Sequence, residues 1–123
     1  MLEYNINLLV ETLKIYTPSS QESALSLFLA DVMKELGFTN ISLDCVNNVS
    51  GVIGNGSPSL LLCGHIDTVP GILPVKITDK HIFGRGSVDA KSSFVAMLLA
   101  ASKLASNRDI GKVIVAGVVE EPI

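Results

Sequence analysis

The chain has 123 residues, the size of one domain, and 48% of them are hydrophobic while only 17% are charged. Its formal net charge of −3 and the lack of a basic cluster argue against nucleic acid as a partner. The longest purely apolar runs, such as residues 94–101, are shorter than the ~18 residues that a membrane-spanning helix needs, so no membrane partner is expected. The mean hydropathy of +0.49 is high for so small a soluble protein and is typical of the interior of something larger.

The first residues and the two cysteines bear on the cellular compartment. Met1-Leu2-Glu3 carries an early acid and no basic flank, which is not the pattern of a secretory signal. Cys45 and Cys63 are isolated and lack CxxC spacing, so buried, unreactive thiols are favoured over a disulfide. We therefore expect an intracellular, cytoplasmic protein.

Two helices are predicted at the start of the chain. Apolar residues at helical spacing indicate a first helix over residues 3–16. The pattern Ser-x-x-Glu over residues 19–22 is a capping box that opens a second helix, and Gly37 lies where a C-terminal cap belongs.

Strands follow the second helix. Residues 41–45 alternate as a half-buried strand should, and a turn at residues 47–48 joins them to a partner over residues 49–53. The continuous apolar run at residues 60–63 predicts a strand that is covered on both faces. Residues 113–119 form a second apolar strand, which we expect to be left as an exposed edge if neighbouring structure is missing.

A small hairpin and a third helix complete the pattern. Residues 75–78 and 81–83 look like a hairpin that turns at Asp79-Lys80. The apolar residues of a long helix over about residues 90–105 cover more than one face, so this helix is expected to be buried. The order of the elements predicts an α/β protein with a mixed sheet flanked by helices.

The strand at residues 60–63 leads into His65 and Asp67. Because side chains alternate along a strand, the two residues are expected on the same side. If one ring nitrogen of His65 binds a metal, a carboxylate on that side can hold the other nitrogen and fix the tautomer. The alternative is that both residues cap the strand with polar groups. His81 lies in the small hairpin without a carboxylate at ligand-like spacing and is interpreted as a surface residue.

Two further acidic clusters are expected near the same place. Asp89 follows a glycine-rich turn at the start of the third helix, where the helix N-terminus favours an ionised carboxylate. Glu120 and Glu121 follow the second apolar strand. Ligands of open α/β sheets collect beyond the carboxyl ends of the strands, and one histidine with several carboxylates suits zinc or a similar divalent ion. Taken singly, Asp89 could be a helix cap and the glutamates a solvated strand end.

These three clusters resemble the signatures of a known family. Residues 64–70 (GHIDTVP), residues 84–91 (GRGSVDAK) and Glu120-Glu121 are similar in order and spacing to the motifs of M20 metallopeptidases. That family includes carboxypeptidases, acetylornithine deacetylase and succinyl-diaminopimelate desuccinylase. The resemblance implies that residues 1–123 are the N-terminal part of a zinc-exopeptidase-like (phosphorylase/hydrolase-like) catalytic domain. The rest of that domain and the lid or dimerisation domain, through which the family often forms homodimers, would be absent.

The resemblance also implies a role for each site residue. His65 would bind one of two divalent metal ions, zinc or else cobalt, and Asp67 would orient it. Asp89 would bridge both ions, Glu121 would bind the second, and Glu120 would be the general base and acid of amide hydrolysis. The family tends to hold a cis peptide after the bridging aspartate, so one is predicted at the Asp89–Ala90 bond.

A branch of the family accounts for further features of the sequence. The short connection from Asp67 to Gly84, residues 15–19 and Pro70-Gly71 resemble hydrolases that release lysine or ornithine from a small acidic carrier protein, LysW. The substrate would then be a carrier-linked or small amino-acid amide, with acetylornithine deacetylase-like activity as the alternative. A hypothesis of another class is a truncated, catalytically inactive α/β fragment with at most weak metal binding.

Overall fold

The structure, a computed structural model, describes residues 2–15, 23–68, 71, 73–87, 90–105 and 111–119. Within these ranges the elements follow one another in the order α1 (Leu2–Lys14), α2 (Ser23–Glu35), β1 (Thr39–Leu43), β2 (Val49–Gly54), β3 (Ser59–His65), β4 (Lys76–Ile77), β5 (Ile82–Phe83), α3 (Lys91–Ser102) and β6 (Lys112–Val118). The predicted order of helices and strands is confirmed. The capping box at residues 19–22 lies outside the described residues.

Gly37 ends the second helix as predicted. Its φ of 92° is a left-handed conformation that glycine adopts without steric cost. The backbone N–H of Phe38 donates to the carbonyl oxygen of Met33 at 2.9 Å, which is the six-residue bond of a Schellman cap. Phe38, which follows the cap, is buried in the core, and β1 begins at the next residue, Thr39.

Among the described residues, four strands form the main sheet, in the order β1-β2-β6-β3. β2 pairs antiparallel with both β1 and β6, whereas β3 pairs parallel with β6. Parallel strands need a long crossover connection, and the chain between β3 and β6 contains α3. β4 and β5 form a separate antiparallel hairpin, as the sequence predicts. The mixed α/β sheet with flanking helices is therefore confirmed.

The core lies between the helices and one face of the sheet. Along β6, Val113, Val115 and Gly117 are buried and their alternate neighbours are only partly buried, so one face of the strand is covered and the other is not. All three helices contribute to this core, whose buried members are Leu8, Leu25, Leu29, Val32, Met33, Phe38, Val49, Ile53, Ile66, Phe94, Val95, Leu98, Ala101, Val113 and Val115.

Two predictions about the apolar strands are wrong. β3 lies at the edge of the sheet, and Leu60 and Leu61 are 55% and 59% exposed, so the run at residues 60–63 is not covered on both faces. The strand at residues 113–119 is not an edge, because β6 lies between β2 and β3. An apolar run indicates that a strand can be buried, but its position in the sheet depends on which strands pair with it.

The expected burial of the thiols and of the third helix also needs correction. Cys45 and Cys63 are free, as predicted, but both are exposed. Cys63 lies on edge strand β3, and Cys45 lies between β1 and β2, so neither position is enclosed. α3 buries one side, with Phe94, Val95, Leu98 and Ala101 inside, while Ser93, Ala96 and Ala100 are exposed. No helix of the described residues is long and apolar enough to span a membrane.

Candidate metal centre

The carboxyl end of β3 carries the first predicted pair of site residues. His65 is the last residue of β3 and is register partner to Val118 of the parallel strand β6. The backbone N–H of Ile66 then donates to the carbonyl oxygen of Val118 at 2.9 Å, which extends the pairing one residue beyond the strand. Ile66 is 1% exposed, so the residue between His65 and Asp67 is anchored in the core. This anchor fixes the backbone on which the two polar side chains are carried.

The side chains of His65 and Asp67 are in contact, as their spacing predicts. Nδ1 of His65 lies 3.3 Å from Oδ1 of Asp67 and 3.1 Å from the carbonyl oxygen of the same residue. The Asp67 side chain is 2% exposed and that of His65 is 31% exposed. With a proton on Nδ1 donated to Asp67, the ring carries its lone pair on Nε2, the atom through which a histidine in this tautomer binds metal. The pair therefore fits the geometry of an oriented histidine ligand.

The other three predicted residues, Asp89, Glu120 and Glu121, lie outside the described residues, as does the predicted cis bond after Asp89. In the sequence, Asp89 lies just before the start of α3 at Lys91, and Glu120 and Glu121 lie just after the end of β6 at Val118. Among the residues that the structure describes, no three His, Cys, Asp or Glu side chains come together as a possible metal site. The ligand set beyond His65 thus stays a prediction.

His81 is exposed, as predicted for a surface histidine. Its ring stacks on that of Phe83, with the centroids 5.8 Å apart and the planes inclined by 25°. The two residues belong to the β4–β5 hairpin and its turn.

Lys91 is a residue whose importance the sequence reasoning missed. It is the first residue of α3 and is 1% exposed. Its Nζ donates to the carbonyl oxygens of Thr12 and Ile15, at 3.3 and 2.6 Å, and so joins the start of α3 to the end of α1. Burial lowers the pKa of the Lys91 ammonium to about 8. The signal that could have indicated this role is that Lys91 is the single charged residue of α3.

Comparison with solved structures identifies the fold. Human carnosine dipeptidase 1 has a TM-score of 0.75 at 18% identity, with 93% of this chain and 31% of that chain covered. A Bacillus subtilis protein described as a dinuclear metal binding peptidase from the M20 family has a TM-score of 0.69 at 19% identity, over 97% of this chain and 35% of that chain. The fold is thus the N-terminal portion of the catalytic domain seen in M20 peptidases.

Comparison of sequences adds closer relatives. A protein of Pyrococcus abyssi named putative [LysW]-lysine/[LysW]-ornithine hydrolase is 40% identical over 116 residues, which cover 94% of this chain and 33% of that protein. A Sulfurisphaera tokodaii protein named [LysW]-lysine/[LysW]-ornithine hydrolase is 46% identical over 93 residues, which cover 76% and 25%. The chain thus spans a quarter to a third of the length of these relatives. The profile described as Peptidase family M20/M25/M40 matches residues 61–122, about half of the chain. The chain belongs to this peptidase family.

Proposed function

We propose that this chain is the N-terminal part of a metal-dependent amide hydrolase of amino-acid biosynthesis. The observation that carries the proposal is the contact between His65 and Asp67 at the carboxyl end of β3, beside the end of β6. The substrate class is inferred from the relatives, which are named for hydrolysis of LysW-linked lysine or ornithine. The substrate would be lysine or ornithine held by an amide bond to a carrier protein or an acyl group.

The roles proposed for the residues follow from their chemistry. His65 would bind a divalent ion through Nε2, while Asp67 holds Nδ1 and so fixes the ring and its tautomer. Asp89 would bridge two ions and Glu121 would complete the second site. Such ions, zinc or else cobalt, activate a water molecule and polarise an amide carbonyl. Glu120 would accept the proton of the water and return it to the leaving amine.

A second function class has support from the exposed part of the sheet. Leu60 and Leu61 of β3 are more than half exposed, and the sheet face opposite the helices is only partly buried. Apolar surface of this kind is typical of a place where further polypeptide packs. The alternative is therefore an α/β module that binds metal weakly and does not catalyse hydrolysis by itself.

A metal titration combined with a hydrolysis assay separates the two functions. The resemblance implies that residues 1–123 by themselves lack a ligand for each ion and are inactive. Absorption of Co²⁺ that reports two tightly bound ions per chain, with release of lysine or ornithine from N-acyl substrates, would refute the inactive module. His65→Ala should abolish one of the two sites, and Asp67→Asn should weaken it about 10- to 100-fold. His81→Ala is the matched control, since it removes an exposed histidine. Weak binding of one ion without turnover would favour the inactive module.

A further inference from the structure

The connection between β1 and β2 is a turn built around one carboxylate. Oδ1 of Asp44 accepts from the backbone N–H groups of Val46 and Asn48, at 3.0 and 2.9 Å. Oδ2 accepts from the side-chain amide of Asn48 at 2.8 Å. Both carboxylate oxygens are thus used, and the side chain of Asn48 is held in one orientation.

The same turn is attached to the helical layer. Ser26 of α2 is 1% exposed, and its Oγ donates to the carbonyl oxygen of Asn47 at 2.5 Å. Asn47 has a φ of 73°, a left-handed conformation that asparagine adopts more readily than most residues. The turn is therefore fixed both internally, by Asp44, and externally, by α2.

Asn48 also forms a hydrogen bond at the end of β6. The regular pairing of β2 with β6 ends at the pair Val49 and Gly117. Beyond that pair, Oδ1 of Asn48 accepts from the backbone N–H of Val119 at 2.8 Å, so a side chain continues the ladder where the backbone of β2 leaves it. Val119 is the last described residue before Glu120.

The peptide unit between Val118 and Val119 is held from both sides. Its carbonyl oxygen accepts from the backbone N–H of Ile66 at 2.9 Å, on the β3 side. Its N–H donates to Asn48 on the β2 side. The donor of the first bond is Ile66, which lies between His65 and Asp67. The acceptor of the second is Asn48, which belongs to the turn between β1 and β2. The position of the Val118–Val119 peptide unit is thereby defined relative to the His65–Asp67 pair.

We propose that Asn48 is a positioning residue, which holds the N–H of Val119 and so fixes the end of β6, the residue before Glu120 in sequence, relative to the His65–Asp67 pair. The inference rests on the proposed function, because it assigns Asn48 to the same metal centre. An amide is the side chain that fits both contacts, since Oδ1 must accept from Val119 while Nδ2 donates to Asp44. Aspartate would keep the acceptor but would place a second carboxylate against that of Asp44.

Three variants separate positioning from simple support of the turn. Asn48→Ala removes both contacts. Asp44→Asn retains an oxygen for the N–H groups of Val46 and Asn48 but turns an amide towards Nδ2, so it loosens the Asn48 side chain and leaves the turn intact. Asn55→Ala is the matched control, because Asn55 is an exposed residue of the loop between β2 and β3.

The first measurement is independent of metal. In the metal-free chain, Asn48→Ala should speed amide hydrogen exchange at Val119 about 10-fold or more and shift the amide resonances of Glu120 and Glu121, with smaller effects of the same kind in Asp44→Asn. Exchange at Val113 and Val115, which lie earlier in β6, should stay as in the unaltered chain. Unchanged Val119 exchange and unchanged glutamate resonances in Asn48→Ala would overturn the proposal, whatever the variant does to thermal stability.

The second measurement is Co²⁺ affinity. We expect it to fall about 10-fold in Asn48→Ala, less in Asp44→Asn, and not at all in Asn55→Ala. An equal loss in Asn48→Ala and Asn55→Ala would count against positioning. If the unaltered chain binds no Co²⁺, the inactive module is favoured over a metal centre in this chain, and the exchange data still decide whether Asn48 holds the N–H of Val119.

Discussion

Nζ of Lys91 donates a 2.6 Å hydrogen bond to the carbonyl oxygen of Ile15, so a buried cation at the first residue of α3 satisfies the C-terminal end of α1. Carbonyl groups at the end of a helix lack intrahelical donors and carry partial negative charge, which favours a cation there. The aliphatic stem of Lys91 packs on Gly86, where an added Cβ would lie 3.0 Å from Cγ and Cδ. Lys91 therefore contacts both Gly86, in the glycine-rich turn, and the end of α1.

Loss of this side chain should destabilise the fold. Lys91→Ala removes two donors and a buried four-carbon stem, and we expect the free energy of unfolding to fall by about 2–4 kcal/mol. Lys103→Ala, at an exposed position just beyond the same helix, should change it by less than about 0.5 kcal/mol. Urea unfolding of both variants measures the difference. Equal losses would mean that the buried contacts of Lys91 contribute little.

Gly117 and Gly64 are register partners in β6 and β3, yet they should differ in tolerance to alanine. A Cβ at Gly117 would lie 2.9 Å from Cγ2 of Ile66 and 3.1 Å from the ring of Phe94, both rigid side chains of the core. At Gly64 the nearest atom is the terminal Cε of Met97, at 2.9 Å, which can move aside. We expect Gly117→Ala to cost about 1–3 kcal/mol and Gly64→Ala clearly less. Denaturation midpoints of the two variants give the comparison, and a larger loss at Gly64 would contradict it.

The turn carboxylate predicts a specific dependence of stability on pH. Hydrogen bonds from the backbone N–H of Asn48, and further from its side chain and from Val46, hold the pKa of the Asp44 carboxyl below its ordinary value. A lowered pKa in the folded state stabilises the fold at pH values above the ordinary carboxyl value of about 3.9, and this contribution is lost as the pH falls through the lowered one. The stability difference between the unaltered chain and Asp44→Asn should therefore be constant from about pH 5 to 7 and shrink below about pH 4.

Unfolding midpoints of the two proteins across this range test the Asp44 prediction. In an Asn48→Ala background the dependence should weaken but persist, because the backbone donors to Asp44 remain. A difference that does not change between about pH 3 and 7 would show that the carboxylate does not stabilise the turn through its charge.

The open edge of β3 should promote association between chains. Among the described strands of the main sheet, β3 has a neighbour on one side only, and it contains no charged Asp, Glu, Lys or Arg residue that would oppose pairing with another strand. Leu61→Lys should reduce concentration-dependent association, as measured by sedimentation velocity, without lowering the melting temperature. Leu27→Lys is a matched control, because Leu27 is also 59% exposed but lies on helix α2, which offers no strand edge. An equal effect of both substitutions would indicate a general change in solubility.

Local patterns in the sequence were sufficient to predict most elements of the fold. The sequence predicts the first helix over residues 3–16 and the structure has it over Leu2–Lys14, because its apolar spacing and its boundaries are properties of neighbouring residues. Gly37 and the turn before Val49 are likewise governed by the conformations that single residues prefer. The contact of His65 with Asp67 followed from a spacing of two residues at the end of a strand.

The sequence by itself thus determined the type and order of the elements, the family motifs and one pair of site residues, because these depend on short-range spacing. Only the tertiary structure decided that β3 is the edge and β6 the interior strand, that Lys91 is buried, and that Asn48 holds Val119. The contact of Lys91 with Thr12 joins residues 79 positions apart, and that of Asn48 with Val119 joins residues 71 positions apart. Pairing over such separations depends on how the whole chain packs, and no local pattern of polar and apolar residues encodes it.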